Sequence, residues 1–154
     1  DGTKPAPYVE TDPVAPQGIY GASKLAGEQA VMASGANAII LRTAWVYAAA
    51  GKNFVRTMLT LGKTRSRLTV VADQHGCPTT ATDLADAIIG VIARVDATGW
   101  LPAYRGIYHA AGSGETTWFG LATATFEEAA RWGGAVPEVG LADAATTGAW
   151  LELT

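Results

Sequence analysis

Hydrophobic positions fall into blocks that alternate between a helical and an extended period. Residues 17–34 predict a helix: Tyr20, Leu25, Val31 and Met32 supply an apolar side, Pro16 stands before it and Gly35 follows as a stop. From Ala38 to Leu41 the apolar residues are consecutive, the pattern of a strand buried on both faces. Phe54, Met58 and Leu61 then recur at i, i+4 and i+7, a short amphipathic helix, and "RLTVVAD" reads as a second strand. The clearest helix is "TTATDLADAIIGVIARV". Thr80 or Thr82 can cap it, Asp83 and Asp86 suit its positive N-terminal end, and Leu84, Ile88, Ile92 and Val95 form one stripe. "GIYHAAG" makes a third strand, and "ETTWFGLATATFEEAARWGG" a last helix opened by Thr116 or Thr117 and closed by Gly133. Strands alternating with helices predict an α/β fold with a mainly parallel sheet.

Composition narrows the classes without naming one. A chain of 154 residues, 49% hydrophobic, can bury a sizeable core. The net charge of −3 and scattered basic residues leave no electrostatic footprint for nucleic acid. No apolar run approaches the roughly 18 residues of a membrane span, and with no basic, apolar and small-residue pattern at the start no secretory signal is expected. A lone Cys77 has no disulfide partner and no zinc-site companions, so no metal is expected. The expectation is a cytoplasmic protein without nucleic-acid or membrane partners. The opening "DGTKPAPYVETDPVAPQG" reads as an internal loop and lacks an initiating Met, which predicts a fragment.

Candidate chemistry lies in "QGIYGASKLAGEQAV". Tyr20 and Lys24 are four apart in the first helix, so they project from one face with Cβ atoms about 5–6 Å apart. A free phenol, titrating near about pH 10, is a poor acid–base group at neutral pH. A neighbouring ammonium stabilises phenolate and brings it toward useful range. Spacing alone is common by chance; a solvated Tyr–Lys pair looks the same.

Context distinguishes the two. "YGASKLAGEQAV" is followed by "LRTAWVY", "GKNF", "DQHGCPT" and "DLADAI", in that order. The series resembles the extended short-chain dehydrogenase/reductases, and within them the dTDP-4-dehydrorhamnose reductases, over roughly residues 1–126. The resemblance implies the C-terminal part of a Rossmann-type doubly wound parallel sheet plus a small mixed substrate domain. Residues 1–48 would carry the Tyr–Lys helix of the dinucleotide-binding core. Residues 49–154 would supply substrate-domain elements interleaved with the last core strand and helix. It implies NADPH or NADH as cofactor, dTDP-4-dehydro-L-rhamnose as substrate, and leaves room for a homodimer. Residue by residue, Tyr20 matches the proton donor and Lys24 the lysine that holds the cofactor ribose and tunes the phenol, and both are implied as cofactor-binding residues. Trp45 matches an aromatic packed against the sugar nucleotide, with a core role as its alternative. Asn53 is a candidate on the sugar-nucleotide side, with an ordinary helix N-cap as the alternative.

Other residues are expected to be ordinary. Glu28 and Gln29 read as a solvated side of the first helix, Glu127 and Glu128 as a solvated face, and Cys77 as buried and inert. His75 and His109 have no suitably spaced carboxylate or Cys partners. Two features depart from the family. No glycine-rich diphosphate-binding turn occurs among the 18 glycines, and "VGLADAATTGAWLELT" lacks the usual closing segment. Three functions therefore stay open: a fragment of the reductase, inactive alone; a nucleotide-sugar epimerase or dehydratase; and a non-catalytic regulatory relative.

Overall fold

A computed structural model describes residues 2–143. In chain order the elements are α1 (Ile19–Ala33), β1 (Ile39–Arg42), β2 (Val46–Tyr47), α2 (Phe54–Gly62), β3 (Arg67–Val71), β4 (His75–Gly76), β5 (Thr79–Thr80), α3 (Ala81–Thr98), a short 3-10 turn (Pro102–Tyr104), β6 (Gly106–His109), β7 (Thr116–Thr117), α4 (Trp118–Arg131) and β8 (Glu138–Ala142). The chain divides into two compact units. Of the described residues, one comprises those up to Thr43 together with Asp86–Ala110, the other Ala44–Ala85 together with those from Ala111 onward.

In the first unit β1 and β6 pair in parallel, from Ile39 opposite Gly106 to Arg42 opposite His109. Helix α1 starts at Gly18 without a side-chain cap. It stops where Ser34 returns its N–H to Ala30 and Gly35 takes a left-handed φ of 72°. Arg105, which carries no signal in the sequence, donates to the carbonyls of Met32 and Ala36 at the end of α1. A cation there suits the negative end of the helix. The predicted apolar stripes are less covered than their periodicity suggests. Leu25, Met32, Leu84 and Val95 are half-buried, whereas Tyr20, Val31, Ile88 and Ile92 are exposed. Periodicity marks which face of a helix is apolar; what covers that face is a tertiary matter.

The second unit holds a compact core. Met58, Leu68, Val70, Ala122 and Phe126 are buried together, with Phe54, Leu61, Trp118, Phe119 and Val139 packed around them. Helix α2 begins at Asn53, whose side chain accepts the N–H of Arg56 at 3.0 Å, and turns Met58 and Leu61 inward at the expected spacing. Its last residue, Gly62, lies against Phe126: a Cβ there would sit 2.6 Å from the ring, so only glycine allows this approach. Thr117 caps α4 by accepting the N–H of Gly120. Thr80 accepts the N–H of Asp83 at the start of α3.

Strand β8, parallel to β3 from Glu138 opposite Arg67 to Ala142 opposite Val71, lies where the sequence shows only a departing tail. Its mixed pattern of exposed and half-buried residues hides it, since the strand is defined by its pairing with β3. The remainder of that tail, residues 144–154, lies outside the described residues. Among the described residues no helix is long and apolar enough to cross a membrane.

Candidate active site

Helix α1 places Tyr20 and Lys24 on one face, with the Lys24 ammonium 5.3 Å from the centroid of the Tyr20 ring. Tyr20 is 76% exposed and directs its phenol to solvent. Lys24 lines an open groove of about 270 Å³ together with Tyr8, Asp12, Glu28, Arg42 and His109. The pair therefore shares a face, and the lysine alone lines the groove.

Glu28 is not a solvated acid. Arg42, at the end of β1, donates Nε to Oε1 at 2.8 Å and Nη2 to Oε2 at 2.6 Å, a bidentate pair with side chains only 25% and 17% exposed. These hydrogen bonds hold the Glu28 carboxyl below the usual carboxylate range, against the opposing effect of burial. Fourteen residues separate the partners, so helix periodicity carries no trace of the pair. The groove's other acid is also engaged: Asp12 accepts from Lys4 Nζ and from the N–H of Val9, and the Lys4 contact first of all lowers its carboxyl. Glu10 accepts the His109 N–H at 2.8 Å.

In the second unit Trp45 stacks on Trp118, ring centroids 3.6 Å apart and planes 16° from parallel. Phe54 tilts against the same Trp118 at 4.6 Å. Trp45 holds a φ of 48°, the single left-handed non-glycine residue among those described. Such a conformation costs on the order of 1–3 kcal/mol and persists only where the surroundings over-determine it. Here the surroundings are the Trp118 face and the backbone of Gly76, where a Cβ would lie 2.5 Å from the indole. The spacing of 73 residues between the tryptophans, with Trp118 read as a helix start, concealed the stack.

Asn53 caps α2, and its amide donates to the carbonyl of Ala48 at 2.8 Å and that of Ala50 at 3.4 Å. Its polar atoms are thus taken up by the first turn of α2 and by the loop that joins β2 to α2. His75 has a partner that sequence spacing misses, Glu115 Oε1 at 2.6 Å from Nδ1, brought near by the antiparallel pairing of β4 with β7. Cys77 is half-buried rather than buried. Glu128 faces solvent as expected and accepts from Arg131 and the Trp132 indole.

If the two indoles are stacked, Trp118→Leu and Trp45→Leu should each abolish the same exciton feature in circular dichroism. Each should also lose about 0.5–1.5 kcal/mol of stability beyond the area effect, the worth of an aromatic pair. Retention of the feature in either variant would show that the tryptophans are not paired.

Residues 1–146 match the family described as RmlD substrate binding domain. The chain belongs to that family. Among its relatives, the dTDP-4-dehydrorhamnose reductase of Burkholderia thailandensis is 49% identical over 127 residues, covering 80% of this chain and 42% of the relative. The dTDP-4-dehydrorhamnose reductase of Escherichia coli K12 is 46% identical over 132 residues, covering 86% of this chain and 43% of the relative. A crystal structure of dTDP-4-dehydrorhamnose reductase from Bacillus anthracis, solved in complex with NADP, superimposes with a TM-score of 0.82 at 38% identity. It covers 97% of this chain and 49% of that one. The fold is thus part of the Rossmann-type α/β architecture of these RmlD-family reductases, and the chain spans less than half the length of the curated relatives it matches.

Proposed function

We propose that this chain is the Tyr–Lys-bearing part of a cytoplasmic, NAD(P)H-dependent reductase that converts dTDP-4-dehydro-L-rhamnose to dTDP-L-rhamnose. The observation that carries the proposal is the placement of Tyr20 and Lys24 on one face of α1, in a chain whose relatives are named for that reaction. On this reading the first unit belongs to the dinucleotide-binding core and the second to the substrate side.

The residues present fit the ribose end of such a cofactor. Lys24 lines an open groove, and among the described residues no carboxylate is paired with it. Its ammonium can donate to a ribose hydroxyl pair. When bound, NADPH or NADH supplies the hydride that reaches the sugar C4. Tyr20 gives its phenolic proton to the C4 carbonyl oxygen, so the ketone becomes an alcohol, and Lys24 stabilises the phenolate left behind. Trp45, held by Trp118 and Gly76, presents a rigid aromatic edge to the sugar nucleotide at little entropic cost. Asn53 serves the same side by fixing the loop between Ala48 and Phe54.

The test is nicotinamide absorbance with the full-length protein, dTDP-4-dehydrorhamnose and a UDP-linked keto-sugar being run side by side. Reduction of the dTDP sugar in preference to the UDP sugar is expected. In Lys24→Ala, which loses contact with both ribose and phenol, nucleotide affinity and turnover should fall together. If neither sugar is reduced by the parent, the enzyme reading is withdrawn in favour of a non-catalytic relative.

A further inference from the structure

The acid that threatens Lys24 sits on its own helix. Glu28 follows Lys24 by four residues on α1, the spacing at which opposite charges pair across one helical turn. A Lys24–Glu28 pair would draw the ammonium along the helix and occupy the donors that a ribose requires. The structure shows Glu28 turned to Arg42 instead, with both carboxylate oxygens taken at 2.8 and 2.6 Å. Arg42 is itself fixed: it lies in β1, and its carbonyl accepts the N–H of Ala110 at 2.7 Å. A guanidinium matches a carboxylate in a planar fork, whereas an ammonium offers a point charge, so Arg42 outcompetes Lys24 for Glu28.

We propose that Arg42 is a positioning residue whose work is to sequester Glu28, leaving the Lys24 ammonium available to the cofactor. The same arrangement extends to the groove's other acid, Asp12, and to Glu10 nearby in the chain. Asp12 is held by Lys4 and the Val9 N–H, and Glu10 by the His109 N–H. Lys24 is thereby the cation of the groove whose charge is not answered by a carboxylate among the described residues. This inference rests on the reading that Lys24 holds the ribose.

The experiment measures NADPH affinity of the full-length protein, by nucleotide fluorescence without sugar substrate, for three variants beside the parent and Lys24→Ala. Arg42→Met releases Glu28 and should weaken NADPH about ten- to a hundredfold, the worth of a lost charge-assisted hydrogen bond. Adding Glu28→Gln to Arg42→Met removes the competing acid and should return affinity close to the parent value. Glu28→Gln alone should bind without loss, which keeps the proposal testable should Arg42→Met fail to fold. A merely structural clamp predicts otherwise for two of them: Glu28→Gln alone weakens binding as Arg42→Met does, and the double variant recovers nothing. That outcome, or parent-like binding by Arg42→Met, overturns the role assigned to Arg42. Parent-like binding by Lys24→Ala instead overturns the ribose reading itself, and this inference with it.

Discussion

Tyr20→Phe in the full-length protein is expected to lower turnover with dTDP-4-dehydrorhamnose by about 10²–10⁴-fold, the usual worth of general acid catalysis. The substitution removes one oxygen, and the structure says what that oxygen does not do. It is not a core hydrogen bond: Tyr20 is 76% exposed, so no buried partner is orphaned and the fold should be indifferent. The ring that Lys24 approaches at 5.3 Å remains, so the lysine keeps its contact and NADPH affinity should hold. The loss should therefore appear in kcat, with little change in KM, as for an interaction made chiefly in the transition state. Steady-state nicotinamide absorbance and a separate NADPH titration read the two quantities. Near-parental turnover in Tyr20→Phe would mean that another group donates the proton.

Phe126→Ala should have the largest effect on stability, about 3–5 kcal/mol, seen as a lowered midpoint in chemical or thermal unfolding of the full-length protein. Phe126 is 2% exposed and packs with Met58, Leu68, Val70 and Ala122 in the core of the second unit. Its ring also occupies the space that a side chain at position 62 would need. Gly62→Ala should accordingly destabilise the parent by overpacking, and cost less, or even help, once Phe126 has been truncated. Additive losses in the double variant would show that Gly62 and Phe126 do not share that space.

Local pattern made much of this legible. Helix α2 appears at its predicted spacing because Phe54, Met58 and Leu61 have Leu68, Val70, Ala122 and Phe126 to pack against. The caps at Asn53, Thr80 and Thr117 were each among the alternatives the sequence offered, because capping is settled within three residues; the structure chose between Thr80 and Thr82 and between Thr116 and Thr117. Strand β8 was not readable, since its identity lies in its pairing with β3, about seventy residues upstream. What covers α1 and α3 was not readable for the same reason: an apolar stripe states a demand, and the partner that meets it lies elsewhere.

At the site the division follows distance along the chain. Tyr20 and Lys24 share a face because helical geometry dictates it at a separation of four, and no tertiary contact is needed to know it. The order of motifs around them sufficed to place the chain in its family. Folding alone decided which charges meet. It took Glu28 out of solvent and bound it to Arg42, gave His75 a carboxylate in Glu115, and laid Trp118 against Trp45. Each of these joins residues 14 to 73 positions apart, where chain geometry imposes no relation and only the packing of strands and helices can bring side chains within reach.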